Sequence, residues 1–168
     1  LISKNGYALR FNIEEVPVIG AKAAGVKAMN LKADDVIQAA FICNTSSFYL
    51  LTHRGSLKRV SIEEIPATSR ANRGLQVLRE LKSKPHRVFS AGAVAEQGFV
   101  GDLFSTEVED GEQTLVVQSN KGTIYESILQ DLNLSERTSN GSFISDTISD
   151  EEVFDAYLKD VFKDDKEN

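Results

Sequence analysis

One cysteine, Cys43, occurs among 168 residues, so no disulfide can form within the chain, and such sparing use fits a reducing compartment. Placed in Phe41-Ile42-Cys43, it reads as a small buried apolar group. No run of 18 apolar residues and no signal-peptide pattern occurs, which points to a soluble, cytoplasmic protein with no membrane partner. Histidine is scarce as well: His53 and His86 have no cysteine or further histidine at metal-ligand spacing, so phosphate contact or plain exposure is their expected role. There is no glycine loop with lysine to cradle a nucleotide and no local nucleophile signature. The pairs Asp34-Asp35 and Glu151-Glu152 do not make up for this, because neighbours on a strand point to opposite faces. No catalytic residue, metal or cofactor is expected. An initiator methionine is missing too, and the chain opens inside a strand-like run, Leu1-Ile2-Ser3, as expected of a piece of something longer.

What is present is repetition. Gly6, Gly55 and Gly122 each close a basic turn (Lys4-Asn5-Gly6, His53-Arg54-Gly55, Asn120-Lys121-Gly122) after an apolar run, and Gly25, Gly74 and Gly141 follow 19 residues later. Between them, 8 residues after each turn glycine, begin Glu14-Glu15-Val16, Glu63-Glu64-Ile65 and Gln130-Asp131-Leu132. Fixed offsets of this kind predict an all-β array of about three four-stranded blades, propeller-like, over about 1–47, 48–111 and 112–159, with an acidic tail at 160–168. Phe48–Thr52 and Ser56–Ile62 read as strands joined by a glycine hairpin, and Leu1–Ile13 and Leu115–Leu129 repeat it. A third strand is expected after the second glycine (Gly25–Leu31, Gly74–Arg79) and a fourth over Val36–Ile42 and Val88–Val94. Pro17 and Pro66, at equal offsets, stop the chain from continuing as ladder strand. Residues Ala95–Glu112, with the run Glu107–Glu112, read as an exposed insertion. For 150–163 two readings compete. Val153, Phe154, Tyr157, Leu158, Val161 and Phe162 have helical spacing behind a Ser149-Glu152 capping box, while Ile148–Phe154 parallels Leu31–Ile37, which leads into a strand. The short C-terminal helix is the reading preferred.

The net charge of −6 conceals an imbalance: residues 1–90 carry 14 Lys and Arg against 7 Asp and Glu, and residues 91–168 carry 5 against 18. Such opposed halves suggest a polyanion-binding surface followed by an acidic segment. The cations also follow the repeat. Arg10 and Arg59 lie 4 residues past their turn glycines, Lys4, Arg54 and Lys121 occupy the turns, and Arg70 and Arg137 share an offset of 15. With Lys22, Lys27, Lys58 and Arg73 they are the candidate contacts, lining one rim as a curved basic track suited to the phosphate backbone of double-stranded DNA. Arg70-Ala71-Asn72-Arg73-Gly74 is the densest phosphate-binding candidate. Glu126 stands where the first two copies have Arg10 and Arg59, so the track should weaken toward the C-terminus. No aromatic ladder interleaves with these residues, which argues against single-strand stacking. A propeller used for protein interaction, its basic residues merely solvated, is the alternative.

Gly6-Tyr7-Ala8-Leu9-Arg10-Phe11, Glu15-Val16-Pro17-Val18, Lys22–Leu31 and Asp34-Asp35-Val36-Ile37 closely resemble the C-terminal domain of bacterial type IIA topoisomerase A subunits. Leu51–Arg59 and Arg73–Val77 look most like topoisomerase IV A subunits of Gram-positive bacteria. The resemblance implies a β-pinwheel whose basic rim binds and bends duplex DNA. It implies a module that captures the transported segment during strand passage, decatenation and relaxation, without catalysis of its own. It also implies that the catalytic tyrosine, ATP and Mg2+ belong to other parts of the parent. The implied partners are duplex DNA, a second A subunit, plus the topoisomerase IV B subunit, in a nucleoid-associated bacterial enzyme. Gyrase A subunits carry a glutamine-arginine-glycine-rich box that does not occur here, which favours topoisomerase IV over the gyrase wrapping domain. The acidic tail is similar in position to segments that modulate wrapping in relatives. Deleting residues from Asp150 onward is therefore expected to tighten DNA binding.

Overall fold

A computed structural model describes residues 1–32, 34–95 and 112–159. The expected insertion and acidic tail fall mostly or wholly outside these residues.

Three antiparallel sheets follow one another along the chain, and no α-helix occurs among the described residues. The first copy supplies β1 (Ile2–Ser3), β2 (Tyr7–Ala8) and β3 (Ile37–Ala39). From the second come β4 (Ser47–Thr52), β5 (Ser56–Ser61), β6 (Leu75–Gln76) and β7 (Val88–Val94). The third gives β8 (Thr114–Ser119), β9 (Ile124–Ile128), β10 (Ser142–Phe143) and β11 (Val153–Lys159). Gly6, Gly55 and Gly122 take φ of 85°, 75° and 85° at the hairpin turns, a conformation that strains a side chain. This is why glycine recurs there. The Glu-Glu motifs form 3-10 turns at Ile13–Glu15 and Ile62–Glu64, with Asn12 and Ser61 side chains accepting from the Glu14 and Glu63 amides.

The sheets are not closed units. Sheet one runs β3-β1-β2-β6 and sheet two β10-β5-β4-β7, so the strand after each second glycine pairs with the preceding copy. Leu75 faces Ala8 and Gln76 faces Tyr7; 67 residues on, Ser142 faces Leu57 and Phe143 faces Ser56. Four strands within each copy was therefore the wrong grouping. Val26–Ala28, the matching segment of copy one, forms no strand, and sheet three has only β11-β8-β9. Parallel bridges Arg10–Ala67 and Arg59–Leu134 extend each junction. Between the sheets lie two cores. Phe48, Leu50, Val60 and Val77 fill the first, and Leu51, Leu115, Val117, Leu129 and Ile148 the second. β3 packs against β7, and the donated strands β6 and β10 lie at the opposite edges of their sheets.

Two expectations are overturned. Residues 153–159 form β11, a strand along β8, and not a helix. The helix-like spacing drew on both faces of this strand, with Val153 buried and Phe154 and Tyr157 exposed, and a bulge separates Val153 from Asp155. Deletion from Asp150 would remove β11, so a tail truncation has to begin after Lys159. Cys43 is exposed, because the chain leaves its ladder at Ala39 and crosses to β4 as a connection.

Candidate nucleic-acid interface

Four of the cations that recur by offset, Arg10, Arg59, Arg70 and Arg137, bridge the copies. Arg10 donates from Nη1 to the Ile62 carbonyl (3.1 Å), and Arg59 from Nη1 to the Gln130 carbonyl (3.1 Å) and from Nε to Ser47 Oγ (2.7 Å). Arg70 donates to the Glu15 and Lys27 carbonyls, and Arg137 to the Gln76 carbonyl (2.6 Å). Their amides are held in turn: Glu15 Oε2 accepts from Arg70 N and Glu64 Oε2 from Arg137 N. Each junction thus uses the same two arginines and one glutamate. Guanidinium groups suit this because several N–H donors leave in one plane toward successive carbonyls.

Lys58 lies further inside. It is 2% exposed, and its Nζ donates to the carbonyls of Val77 (2.6 Å), Arg137 (2.7 Å) and Ser139 (2.8 Å). Burial pulls its pKa down to about 8, with Glu64 raising and Arg137 lowering it. At neutral pH it keeps the three protons that three acceptors require. Lys58 is therefore withdrawn from the candidate contacts, and Arg10, Arg59, Arg70 and Arg137 have guanidinium groups committed to protein carbonyls.

The remaining cations fall into two groups. Lys22 and Lys27 are exposed in the first-copy loop, where Lys27 Nζ bonds Asn30 Oδ1 (2.8 Å), and Arg73 stacks on the Tyr7 ring at 4.2 Å. Lys121 is exposed and 3.8 Å from Glu151. Lys4 and Arg54 belong to a larger assembly that recurrence does not reveal, the segment Arg79–Arg87 between β6 and β7. Its backbone lies over both turns: Val77 N donates to the Gly6 carbonyl, Val88 N to Lys4, and His53 N to Arg87. This gathers Lys4, Arg54, Arg79, Lys82, Lys84 and Arg87 at the hairpin-turn end, and Lys4, Arg79, Lys82 and Lys84 are exposed. Glu80, paired with Arg87 at 3.1 Å, is the one carboxylate of residues 79–87. Simple cation density over nine residues was the signal available for it.

His86 organises this end. It is 6% exposed, which overturns both solvent exposure and phosphate contact as its role. Arg54 Nη1 lies 3.2 Å from Nε2 and can only donate, so Nε2 is the acceptor. The ring proton is then on Nδ1, 3.0 Å from Thr52 Oγ1, which also accepts from Ser56 N. Arg54 continues from Nη1 to the Lys84 carbonyl (3.1 Å) and lies 5.8 Å from the Phe143 ring. Burial, then Arg54 and His53, push the pKa of His86 down to about 4. The unfolded chain takes up this proton near 6.5 and the folded one near 4, so the unfolded state binds more protons between them, and stability falls as pH is lowered through that window. His86→Gln, which retains an acceptor for Arg54, is expected to flatten the pH dependence by up to about 1.4 kcal/mol per pH unit, followed by urea unfolding from pH 7 to 4. An unchanged pH profile would rule out His86 as its source.

Among the described residues no group of three His, Cys, Asp or Glu is placed to hold a metal ion. Nor, among the described residues, is any helix long and apolar enough to cross a membrane. Asp35 and Glu151 instead serve the turns, Asp35 Oδ1 accepting from Asn5 N (2.9 Å) and Glu151 facing Lys121.

Comparison with known proteins agrees with this architecture. The family described as DNA gyrase C-terminal domain, beta-propeller, matches residues 1–44 and 47–95. The chain belongs to that family. It is 86% identical over 99% of its length to the A subunit of DNA topoisomerase 4 from Streptococcus pneumoniae, and 42% identical over 84% to that of Bacillus subtilis. It spans 20% and 16% of those proteins. A crystal structure of the C-terminal domain of DNA topoisomerase IV superposes with a TM-score of 0.78 at 34% identity, covering 95% of this chain and 45% of that one. The DNA gyrase A C-terminal domain, at 18% identity and a TM-score of 0.71, shares the fold. The resemblance to topoisomerase IV A subunits read from the first two repeats is thus met. The chain is an accessory C-terminal domain and not the catalytic part of its parent.

Proposed function

We propose that this chain binds and bends duplex DNA through its phosphates as the C-terminal module of a topoisomerase IV A subunit, and so helps capture the segment that is transported. The observation that supports this most directly is the assembly of Lys4, Arg54, Arg79, Lys82, Lys84 and Arg87 over two adjacent turns, with Glu80 as the sole carboxylate of its central segment. Phosphate contact needs mobile, solvated cations near one another, and four of the six are exposed. Lys22, Lys27 and Arg73 supply a second group at the junction of the first two copies. Strand passage, decatenation and relaxation would be carried out by the longer protein, with its second A subunit, the B subunit, ATP and Mg2+.

With roughly 5 phosphates engaged, the logarithm of affinity should fall with the logarithm of salt at a slope of about −4 to −5. Arg79→Ala, Lys82→Ala and Lys84→Ala together should weaken binding to a fluorescent duplex uniformly across sequences and reduce the slope by about 3. Arg10→Ala and Arg59→Ala should instead lower stability, since they break junctions. If the triple variant binds as before, the phosphate-contact reading fails and a protein-interaction role for this surface gains.

A further inference from the structure

The two junctions inside the array use the same backbone positions in different ways. At the first, Ala71 N donates to the Ala28 carbonyl and Asn30 N to the Asn72 carbonyl, both at 2.9 Å, so main chain holds main chain. Counted from the turn glycines, the corresponding carbonyls at the second junction are those of Val77 and Ser139, and Arg79 N takes the place of Asn30 N. There Lys58 stands where the first copy has the buried Leu9, and its Nζ claims the Val77 and Ser139 carbonyls at 2.6 and 2.8 Å. Arg79 N is left to a side chain and donates to Asn140 Oδ1 at 2.8 Å. Asn140 holds the position of Arg73, the cation stacked on Tyr7, so the third copy gives up a positive charge here and gains an acceptor.

Arg79 is also the first residue of the basic segment Arg79–Arg87, so Asn140 sets where that segment departs from the junction. Its far end is closed by Glu80, whose Oε1 and Oε2 accept from Arg87 Nη2 and Nη1 at 3.1 and 3.2 Å. A carboxylate that meets a guanidinium with both oxygens fixes direction as well as distance. Between these two fastenings Arg54 holds the Lys84 carbonyl, and Lys84 has a left-handed backbone, φ 50°, which a residue with a side chain adopts only when its surroundings impose it. Lys82, Ser83 and Lys84 are exposed at the crest. A crest ordered beforehand loses less conformational freedom when its lysines meet phosphates, and it binds more tightly for that reason.

We propose that Asn140 and Glu80 are positioning residues for DNA binding: Asn140, from the third copy, and Glu80, forked with Arg87, hold the basic segment of the second copy in the form that engages phosphates. This rests on the phosphate-contact reading of that segment given above. Two consequences separate it from a surface governed by charge alone. A carboxylate within the basic segment promotes the binding of a polyanion, and a neutral amide on another copy controls it.

Titration of a fluorescent duplex with the whole chain tests it, alongside trypsin cleavage after Lys82 as a report on the order of the segment. Asn140→Ala changes no charge and should weaken binding about fivefold and lower the salt slope by about 1, with cleavage faster than in the parent. Its Tm should stay within about 4 °C of the parent, since one partly exposed hydrogen bond is lost. Asn140→Asp keeps an acceptor for Arg79 N and should return cleavage to the parent rate. Glu80→Gln removes a negative charge, which by charge alone would tighten binding. About threefold weaker binding is expected instead. Parent-like or tighter binding in either Asn140→Ala or Glu80→Gln overturns the proposal, as does Asn140→Asp that is cleaved as fast as Asn140→Ala. If the combined Arg79, Lys82 and Lys84 variant has lost binding in the same assay, the phosphate-contact reading survives that failure; if that variant binds as the parent does, both fall.

Discussion

Lys58→Met is expected to lower the free energy of unfolding by about 4 kcal/mol at pH 7, the largest loss from any single cation in the chain. Methionine matches the length and flexibility of the lysine stem, so little cavity term enters. What changes is the fate of three carbonyls. Those of Val77, Arg137 and Ser139 converge on Nζ within 2.8 Å and have only this ammonium to accept from at that point. A buried acceptor deprived of its donor costs roughly 1–3 kcal/mol, and three are affected; relief from burying a charge offsets part of the sum. Val77 belongs to the second copy, whereas Arg137 and Ser139 belong to the third, so one side chain ties β5 to both neighbouring segments. Urea unfolding should show the midpoint displaced with the m-value unchanged. Lys82→Met, at an exposed position of the basic segment, is the control and should stay within about 0.5 kcal/mol. A loss below about 1 kcal/mol for Lys58→Met would mean that water replaces the ammonium and that the carbonyls were never dependent on it.

Lys58 also shows where reading the sequence reached its limit. In Ser56–Ser61 it stands beside Arg59 like any strand lysine, and nothing local says that its neighbour on that face is the interior of a junction. The array itself was legible, because positive φ at the turns selects glycine and leaves a fixed spacing along the chain. Recurrence of Arg10 with Arg59 and of Arg70 with Arg137 was equally legible, but its cause was not. Positions repeat when a structural task repeats, and carbonyls waiting at every junction are such a task. A ligand-binding surface need not repeat at all, and the segment Arg79–Arg87, with no basic counterpart in copies one and three, carries no mark of recurrence for that reason. Strand donation stayed hidden because the pairing of Leu75 with Ala8, and of Ser142 with Leu57, joins residues far apart in the chain and leaves no trace in local alternation.

Gly74→Ala and Gly25→Ala should separate the two things a recurrent glycine can supply. Both residues have φ above 80°, so a methyl group strains either backbone by roughly 1–2 kcal/mol. Gly25 meets nothing else, and its substitution should cost only that much in the isolated chain. At Gly74 the new Cβ would overlap the carbonyl of Ala8, a backbone atom held in the β2–β6 ladder, with Leu9 N 3.1 Å away. Neither partner can swing aside as a side chain would. The donated strand has to withdraw, and with it go the Leu75–Ala8 pairing and the packing of Val77 and Leu78 over the first core. A loss of about 4 kcal/mol or more is expected for Gly74→Ala, visible as a fall in Tm of about 8 °C or more, against about half of that or less for Gly25→Ala. Equal losses at the two sites would show that backbone conformation alone selects glycine, and that the close approach of the copies at Ala8 contributes nothing.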